Sequence, residues 1–153
     1  MATISGLNEK ISSAKKDIST YNEYIKEADL EISNCDELNK VLDELINNAS
    51  NCSLKLANVY SSLSAGISAK GITEKISKVN EKSKFFSTLS TNAETAKGNV
   101  GYRIDELEMD IEDWKSKIKT LNSSISGWEQ EKTKISTKIH SFVTGENGGE
   151  ENG

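Results

Sequence analysis

The sequence predicts an all-α protein whose chain forms one long antiparallel helical hairpin of the coiled-coil type. There is no proline in the 153 residues, so the strongest interrupter of a helix is missing. Apolar residues recur at heptad spacing in two long series, and a glycine-containing segment separates the two series. The aromatic content of 6% is low for a thick globular core, which also favours a narrow helical architecture.

The first apolar series begins near the amino terminus and predicts a helix over about 4–64. An isoleucine occupies every seventh position at the start of this series. These isoleucines are Ile4, Ile11, Ile18, Ile25 and Ile32. Leu7, Ala14 and Tyr21 stand between them, at the second apolar position of each heptad. The pattern places one narrow apolar seam along the helix.

The second apolar series predicts a helix over about 72–143. One of its two heptad positions is apolar in eleven consecutive heptads, from Ile72 to Phe142. Its expected core includes Ile104, Ile111, Trp114, Ile118 and Trp128. Between the two series, Gly66 and Gly71 predict a turn over about 65–71, because glycine is favoured where a helix ends.

A turn centred near residue 68 makes residue i of the first helix face roughly residue 136 minus i of the second. Phe86 then lies opposite Ala49, so a large residue meets a small one. Ser83 lies opposite Ser53, and Lys97 opposite Asn39, so polar seam positions meet. The same register places Trp114 beside Tyr21 and Trp128 beside Leu7 and Ile11.

The middle of the seam is its weakest part, because small and polar residues replace isoleucine and leucine there. We expect Asn39, Ser53, Ser83 and Lys97 to mark a hinge or a contact with a partner, or simply to fix the register of the seam. The helices could also be kinked or broken near 47–53 and 97–101. A break at both places would give a four-helix bundle of shorter pieces.

Residues 1–144 form the predicted hairpin domain, and 145–153 form a tail. The tail is acidic, rich in glycine and without an apolar residue, so we expect it to be disordered. Several apolar residues also lie outside the two seam positions, where a partner or a second copy would cover them. They are Leu30, Val41, Leu45, Leu54, Phe85, Leu89 and Val143.

The residue types indicate no catalytic, metal or cofactor site, and no small-molecule substrate. The two cysteines, Cys35 and Cys52, lie about 25 Å apart on one helix, too far for a disulfide bond. His140 is the single histidine, and the sequence around it shows no spacing typical of a metal site or a catalytic set. We therefore predict a protein that is not an enzyme.

The charge pattern and the absence of long apolar runs limit the kinds of partner and the cellular compartment that the sequence predicts. Nineteen basic and 24 acidic residues alternate in sign along the chain, so no basic stripe predicts nucleic-acid binding. No apolar run is long enough to span a membrane, and no cleavable signal peptide is visible. We expect a cytoplasmic protein, with any export following a route that reads no cleaved signal.

In length, composition and predicted hairpin, the chain resembles the small α-helical proteins of type VII secretion in Gram-positive bacteria. It is similar to the WXG family and, in length, to the helical proteins encoded beside LXG toxins. Leu63-Ser64-Ala65-Gly66 stands where the WXG family has Trp-x-Gly, with the glycine present and the tryptophan missing. Tyr102 and Glu106 match the letters of the family's Tyr-x-x-x-Asp/Glu export motif, although they lie within the second helix and not after it.

This resemblance implies a non-catalytic adaptor that binds a helical domain of an LXG-type toxin and assists its export. Tyr102 and Glu106 would be the export motif. The alternative is a structural coiled-coil spacer, or a scaffold that assembles with itself and has no role in secretion. In both cases the partner is a helical protein, either a different chain or another copy of this one.

Overall fold

The computed structural model consists of two long helices that pack against each other, α1 over Ile4–Gly66 and α2 over Lys70–Glu151. It describes the backbone of residues 2–66 and 70–151, and the side chains of 2–66 and 72–143. These residues contain no strand, and none of them has a positive φ. The predicted all-α helical hairpin is confirmed.

On both sides of the turn, the helices end within two residues of the predicted bounds. The carboxyl-terminal end of α2 differs from its predicted bound by more than that. Gly66 is the last residue of α1, and Gly71 is the second residue of α2 and not part of a turn. Residues 67–69, the middle of the predicted turn, lie outside the described residues. The backbone of α2 continues to Glu151, through most of the 145–153 segment for which the sequence predicts disorder; no proline there blocks a helix.

A threonine cap fixes the first turn of α1. The Thr3 side-chain oxygen accepts a hydrogen bond from the backbone N–H of Gly6 at 3.0 Å, and the Thr3 carbonyl accepts one from the Leu7 N–H at 2.9 Å. The first bond satisfies one of the N–H groups that a helix start leaves without an intrahelical acceptor. The cap therefore sets where the isoleucine seam begins.

The two helices run without interruption through 47–53 and 97–101, so a four-helix bundle of shorter pieces is wrong. The two glycines of the 97–101 segment, Gly98 and Gly101, are helical, and neither has a positive φ. A glycine inside a helix costs about 1 kcal/mol relative to alanine, which lowers stability without ending the helix. Asn47, Asn48 and Asn51 are exposed on α1 and do not disturb its seam.

The chain divides into two compact units, each built from a segment of both helices. The terminal unit contains Met1–Ala28 and Glu108–Gly153, and the central unit contains Asp29–Leu107. In the terminal unit, Leu7, Ile11 and Ile111 are buried. Lys10 lies over the Trp128 ring, with 6.0 Å from Nζ to the ring centroid.

Aromatic side chains pack together in the terminal unit. The Trp114 ring contacts Tyr24, with 5.5 Å between centroids, and Tyr24 in turn contacts Tyr21 at 6.3 Å. Tyr24 lies three residues beyond Tyr21, the predicted neighbour of Trp114, at a position that flanks the seam. The Tyr21 ring instead has Lys117 Nζ at 5.7 Å from its centroid.

Small residues form the buried interface of the central unit. Ala49, Ala93, Ser83 and Ser90 are each less than a tenth exposed. Because their side chains are short, the two backbones approach closely enough for hydroxyl groups to bond across the interface. Ser53 Oγ donates to the Ser83 carbonyl at 2.8 Å, and Ser83 Oγ donates to the Ser53 carbonyl at 2.7 Å.

The register of the hairpin agrees with the expected pairing of residue i with roughly 136 minus i. Ser53 and Ser83 match it directly. The other contacts between α1 and α2 pair residues whose numbers add to between 134 and 140. They join Lys10 to Trp128, Tyr21 to Lys117, Tyr24 to Trp114, Glu31 to Arg103, Asp43 to Lys97 and Ser50 to Ser90.

Replacing Gly98 with alanine should stabilise the protein by up to about 1 kcal/mol, because the added methyl group removes the helix penalty of glycine. A Cβ built at Gly98 meets no atom within 4 Å, so no clash offsets the gain. Gly127→Ala is a matched change in the other unit, with equal space around it. Thermal unfolding followed by circular dichroism measures both; a lower Tm for Gly98→Ala alone would mean that 97–101 is not regular helix in solution.

Candidate functional site

Reciprocal serine contacts hold the middle of the seam, where the sequence predicts a hinge or a partner contact. Besides the two hydroxyl-to-carbonyl bonds of Ser53 and Ser83, their Oγ atoms lie 3.3 Å apart. Ser50 Oγ and Ser90 Oγ are 2.8 Å apart. Each such bond contributes about 1 kcal/mol, and it is made only in this register, because a shift of either helix moves the hydroxyl away from its acceptor. The serines therefore specify the pairing of the helices.

Lys97 and Asn39 do not bond to each other, contrary to the expectation that the two polar seam residues would meet. Lys97 Nζ bonds to the Asp43 carboxylate at the edge of the seam, where both side chains are about half exposed. The long lysine side chain can carry its ammonium group out to solvent, whereas the short asparagine cannot. Asn39 Oδ1 is left buried without a hydrogen-bond partner.

Arg103 links the two helices at the end of the central unit that lies away from the turn. Its Nε and Nη2 donate to the two carboxylate oxygens of Glu31 at 2.8 and 3.1 Å. Its Nη1 lies 3.4 Å from Glu106 on the same helix. The hydrogen bond from Arg103 lowers the pKa of Glu31 below its usual 4.5, so this carboxylate is ionised at neutral pH. The two-pronged geometry orients the pair, although both side chains are solvent-accessible.

Tyr102 and Glu106, the candidate export motif, both lie on the surface of α2. Tyr102 is 73% exposed, and the side chain of Glu106 is 69% exposed. Glu106 forms an ion pair with Arg103. The tyrosine ring is thus accessible to another protein, while the carboxylate already has a cationic neighbour. Its role in export stays a prediction.

Apolar residues are concentrated on one side of the central unit, where Asn48 and Asn92 interrupt them, and we call this side the lateral face. Every seventh residue of α1 from Leu38 to Val59 belongs to it, at the position just before the seam. Most of its side chains are exposed, among them Val41 at 60% and Phe85 at 58%. The lateral face consists of Leu38, Val41, Leu45, Cys52, Val59, Phe85, Leu89 and Ala96.

The two edges of the lateral face carry charges of different sign. Towards the turn, four exposed lysines border it, and none of them forms an ion pair among the described residues; these are Lys55, Lys75, Lys78 and Lys82. At the other edge stand Glu31 and Glu106 with Arg103 between them. The face is therefore apolar in its centre, basic at one end and weakly acidic at the other.

The opposite side of the central unit is polar by comparison. Asp36, Asp43, Asn80, Ser87 and Glu94 occupy the corresponding heptad positions there. Leu54 is the exception, at 62% exposure. Val41, Leu45, Phe85 and Leu89, which the heptad pattern places outside the seam, share one side of the central unit. The heptad spacing of Leu38, Leu45, Cys52 and Val59 was the signal that could have shown it.

The end of α2 carries a smaller apolar surface in the terminal unit. Because α1 begins at Ile4, which faces α2 near residue 132, later seam residues of α2 have no α1 residue opposite them. Ile139 and Phe142 are consequently 56% and 72% exposed. They line an open groove of about 920 Å³ together with Ala2 and Ile135.

The possible metal ligands and the thiols are dispersed along the described helices. Those residues hold no group of three or more histidine, cysteine or acidic side chains placed to bind a metal ion. Cys35 is half-buried in the seam and Cys52 is exposed, and both are free thiols. None of the described helical segments is both long and apolar enough to cross a membrane.

Comparison with protein-family models, with curated proteins and with solved structures finds no match to this chain. The candidate site must therefore be interpreted from its own residues.

Replacing Asn39 with leucine should stabilise the protein by about 1–3 kcal/mol. The change removes a buried oxygen that has no hydrogen-bond partner and adds apolar surface to the seam. Equilibrium unfolding in urea measures the effect, and Asn58→Leu, at an exposed position of α1, is the control for a general gain in hydrophobicity. A loss of stability in Asn39→Leu would show that the amide makes a contact essential to the register.

Proposed function

We propose that this protein is a non-catalytic helical adaptor that binds the helices of another protein side by side. The lateral face carries the proposal, because three heptads of exposed apolar side chains lie on one side of a structure that is polar on the other. A concentration of exposed apolar residues on one side is typical of interaction sites in otherwise well-solvated proteins. Heptad spacing suits an α-helix as the bound element, with its own apolar stripe laid along the face.

The partner class in this proposal is the helical domain of an LXG-type toxin exported by type VII secretion, and the adaptor assists that export. The support for this part is the resemblance in length, composition and hairpin architecture to the helical proteins of that system. Tyr102 is accessible on α2, as a residue read by a secretion machine would need to be. The paired chains would present a composite surface to the machine.

Co-expression with the protein encoded next to this one should give a stable complex that copurifies at a fixed ratio. Leu45→Glu should abolish the complex, since it places a charge in the centre of the lateral face. Leu54→Glu, on the polar side, should leave the complex intact. Secretion of the partner, followed by immunoblotting of culture medium, should fall with Leu45→Glu and persist with Leu54→Glu. Absence of both a complex and export would contradict the proposal.

A structural spacer or self-assembling scaffold is the second candidate function. The uninterrupted helices favour it, since paired long helices give a stable element without any partner. A spacer needs no neighbouring protein, so its cellular role would be unaffected by deleting the adjacent gene. The export assay separates the two candidates.

A further inference from the structure

We propose, on the basis of the adaptor function, that the partner places one amphipathic helix in the groove between α1 and α2 on the lateral face. The end of that helix nearest the turn carries acidic side chains, which lie over a cluster of four lysines. All the residues that form this site belong to the central unit.

The contact between Arg103 and Glu31 shows which residues line the groove. Arg103 Nε and Nη2 bond to Glu31 across the seam, so the heptad positions of these two residues face each other on one side of the hairpin. Seven-residue steps from Glu31 along α1, and from Arg103 along α2, continue both rows towards the turn. The rows contain six apolar residues, which form the floor of what we call the lateral groove. They are Leu38, Leu45, Cys52, Val59, Ala96 and Leu89.

Exposure separates the floor of the lateral groove from its rims. Leu45 on the floor is 36% exposed, whereas Val41 and Phe85 on the rims are 60% and 58% exposed. Asn48 and Asn92 lie one heptad from Val41 and Phe85, so these two amides stand on the rims as well. They leave the floor apolar, and they offer hydrogen-bonding groups to polar side chains of a bound helix.

Four exposed lysines surround the lateral groove at the end nearest the turn. Two of them continue the α2 row beyond Leu89, and the other two stand on the rims. With residue i paired to roughly 136 minus i, all four lie within about 11 Å along the hairpin. None of them forms an ion pair within the described ranges 2–66 and 72–143. They are Lys75 and Lys82 of the row, and Lys55 and Lys78 of the rims.

The distribution of acidic residues gives the lateral groove a direction. Glu74 and Glu81 are the only acidic residues between 45 and 90, and both are exposed on the outer side of α2. At the other end of the groove, Glu31 and Glu106 share one cation, Arg103. An anionic group therefore gains electrostatic energy at the lysine end and meets a net negative charge at the other end. This asymmetry assigns the acidic part of the bound helix to the lysine end.

The recessed floor favours a helix over a flat anionic surface such as a membrane. A flat surface would rest on the rims, where Asn48 and Asn92 stand, and would not cover Leu45. A helix can lay an apolar stripe along the floor, as the third helix of a bundle does. From Leu38 to Val59 the floor is about 32 Å long, which matches about 21 residues of helix.

Binding of two synthetic helices of about 21 residues tests the proposal. Both dye-labelled peptides have leucine at two positions of each heptad; one has glutamates at the flanking positions of its last heptad, and the other has lysines there. In fluorescence anisotropy titrations with the full chain, the acidic peptide should bind at least about tenfold more tightly than the basic one. Its affinity should fall as salt is added, because the lysines are exposed.

Two lysines that lie close together on opposite sides of the unit provide a matched pair of variants. Lys82→Glu should weaken binding of the acidic peptide about tenfold, because it replaces an attraction with a repulsion in the lateral groove. Lys84→Glu makes the same change of charge on the polar side and should leave the affinity unchanged. Leu45→Glu should weaken both peptides at least about 100-fold. Circular dichroism checks that each variant keeps its helix content.

Equal affinities for the two peptides, or equal effects of Lys82→Glu and Lys84→Glu, would overturn the proposal. It is also overturned if the chain forms a dimer that Leu45→Glu disrupts, since a second copy would then fill the groove. Binding to phosphatidylserine vesicles that Lys82→Glu weakens, with neither peptide bound, would assign the lysines to a membrane surface instead.

The adaptor function and the acidic-ended helix fail in different ways. A neighbouring protein that copurifies with the chain, but whose binding Lys82→Glu and Lys84→Glu affect equally, would keep the adaptor and overturn the acidic end. Preference for the acidic peptide that depends on Lys82, without a copurifying neighbour, would support the lateral groove as a helix-binding site and remove the secretion partner.

Discussion

The register between the seams of α1 and α2 is the constraint on which the rest of the structure depends. Each helix has a single narrow apolar stripe, and neither can bury that stripe except against the other. Once Ser53 lies opposite Ser83, the heptad repeat carries the pairing along each unit. The same register decides which residues flank the seam and therefore which side of the hairpin is apolar.

The seam uses two kinds of interaction. In the terminal unit, large side chains such as Leu7, Ile11 and Ile111 bury apolar surface, which supplies most of the stabilisation. In the central unit, alanine and serine side chains are small, so the two backbones lie close together. Hydrogen bonds between the serines replace part of the stabilisation that larger buried apolar side chains would give. Apolar packing tolerates a shift of register more readily than hydrogen bonds do, so the serines restrict alternatives that the isoleucines alone would allow.

Heptad periodicity predicts both helices and their pairing because the geometry of a coiled coil depends on spacing more than on residue detail. The Ser53–Ser83 contact follows directly from it. The contact of Lys97 with Asp43 does not follow from the heptad spacing, because a long flexible lysine side chain can reach out of the seam. The asparagine side chain is too short to do this, so Asn39 Oδ1 stays buried. The Tyr24–Trp114 contact does not follow from the seam positions either, because Tyr24 flanks the seam.

The lateral face was only partly predictable, because scattered apolar residues become a surface only when the register assigns each one to a side.

The most direct measurement of the register between α1 and α2 is a disulfide in the variant with Ser53→Cys and Ser83→Cys, made in a chain with Cys35→Ala and Cys52→Ala. The two hydroxyl oxygens are 3.3 Å apart, so oxidation should join the cysteines within one chain at a rate independent of protein concentration. Failure to form the bond, or a bond only between chains, would contradict the hairpin described.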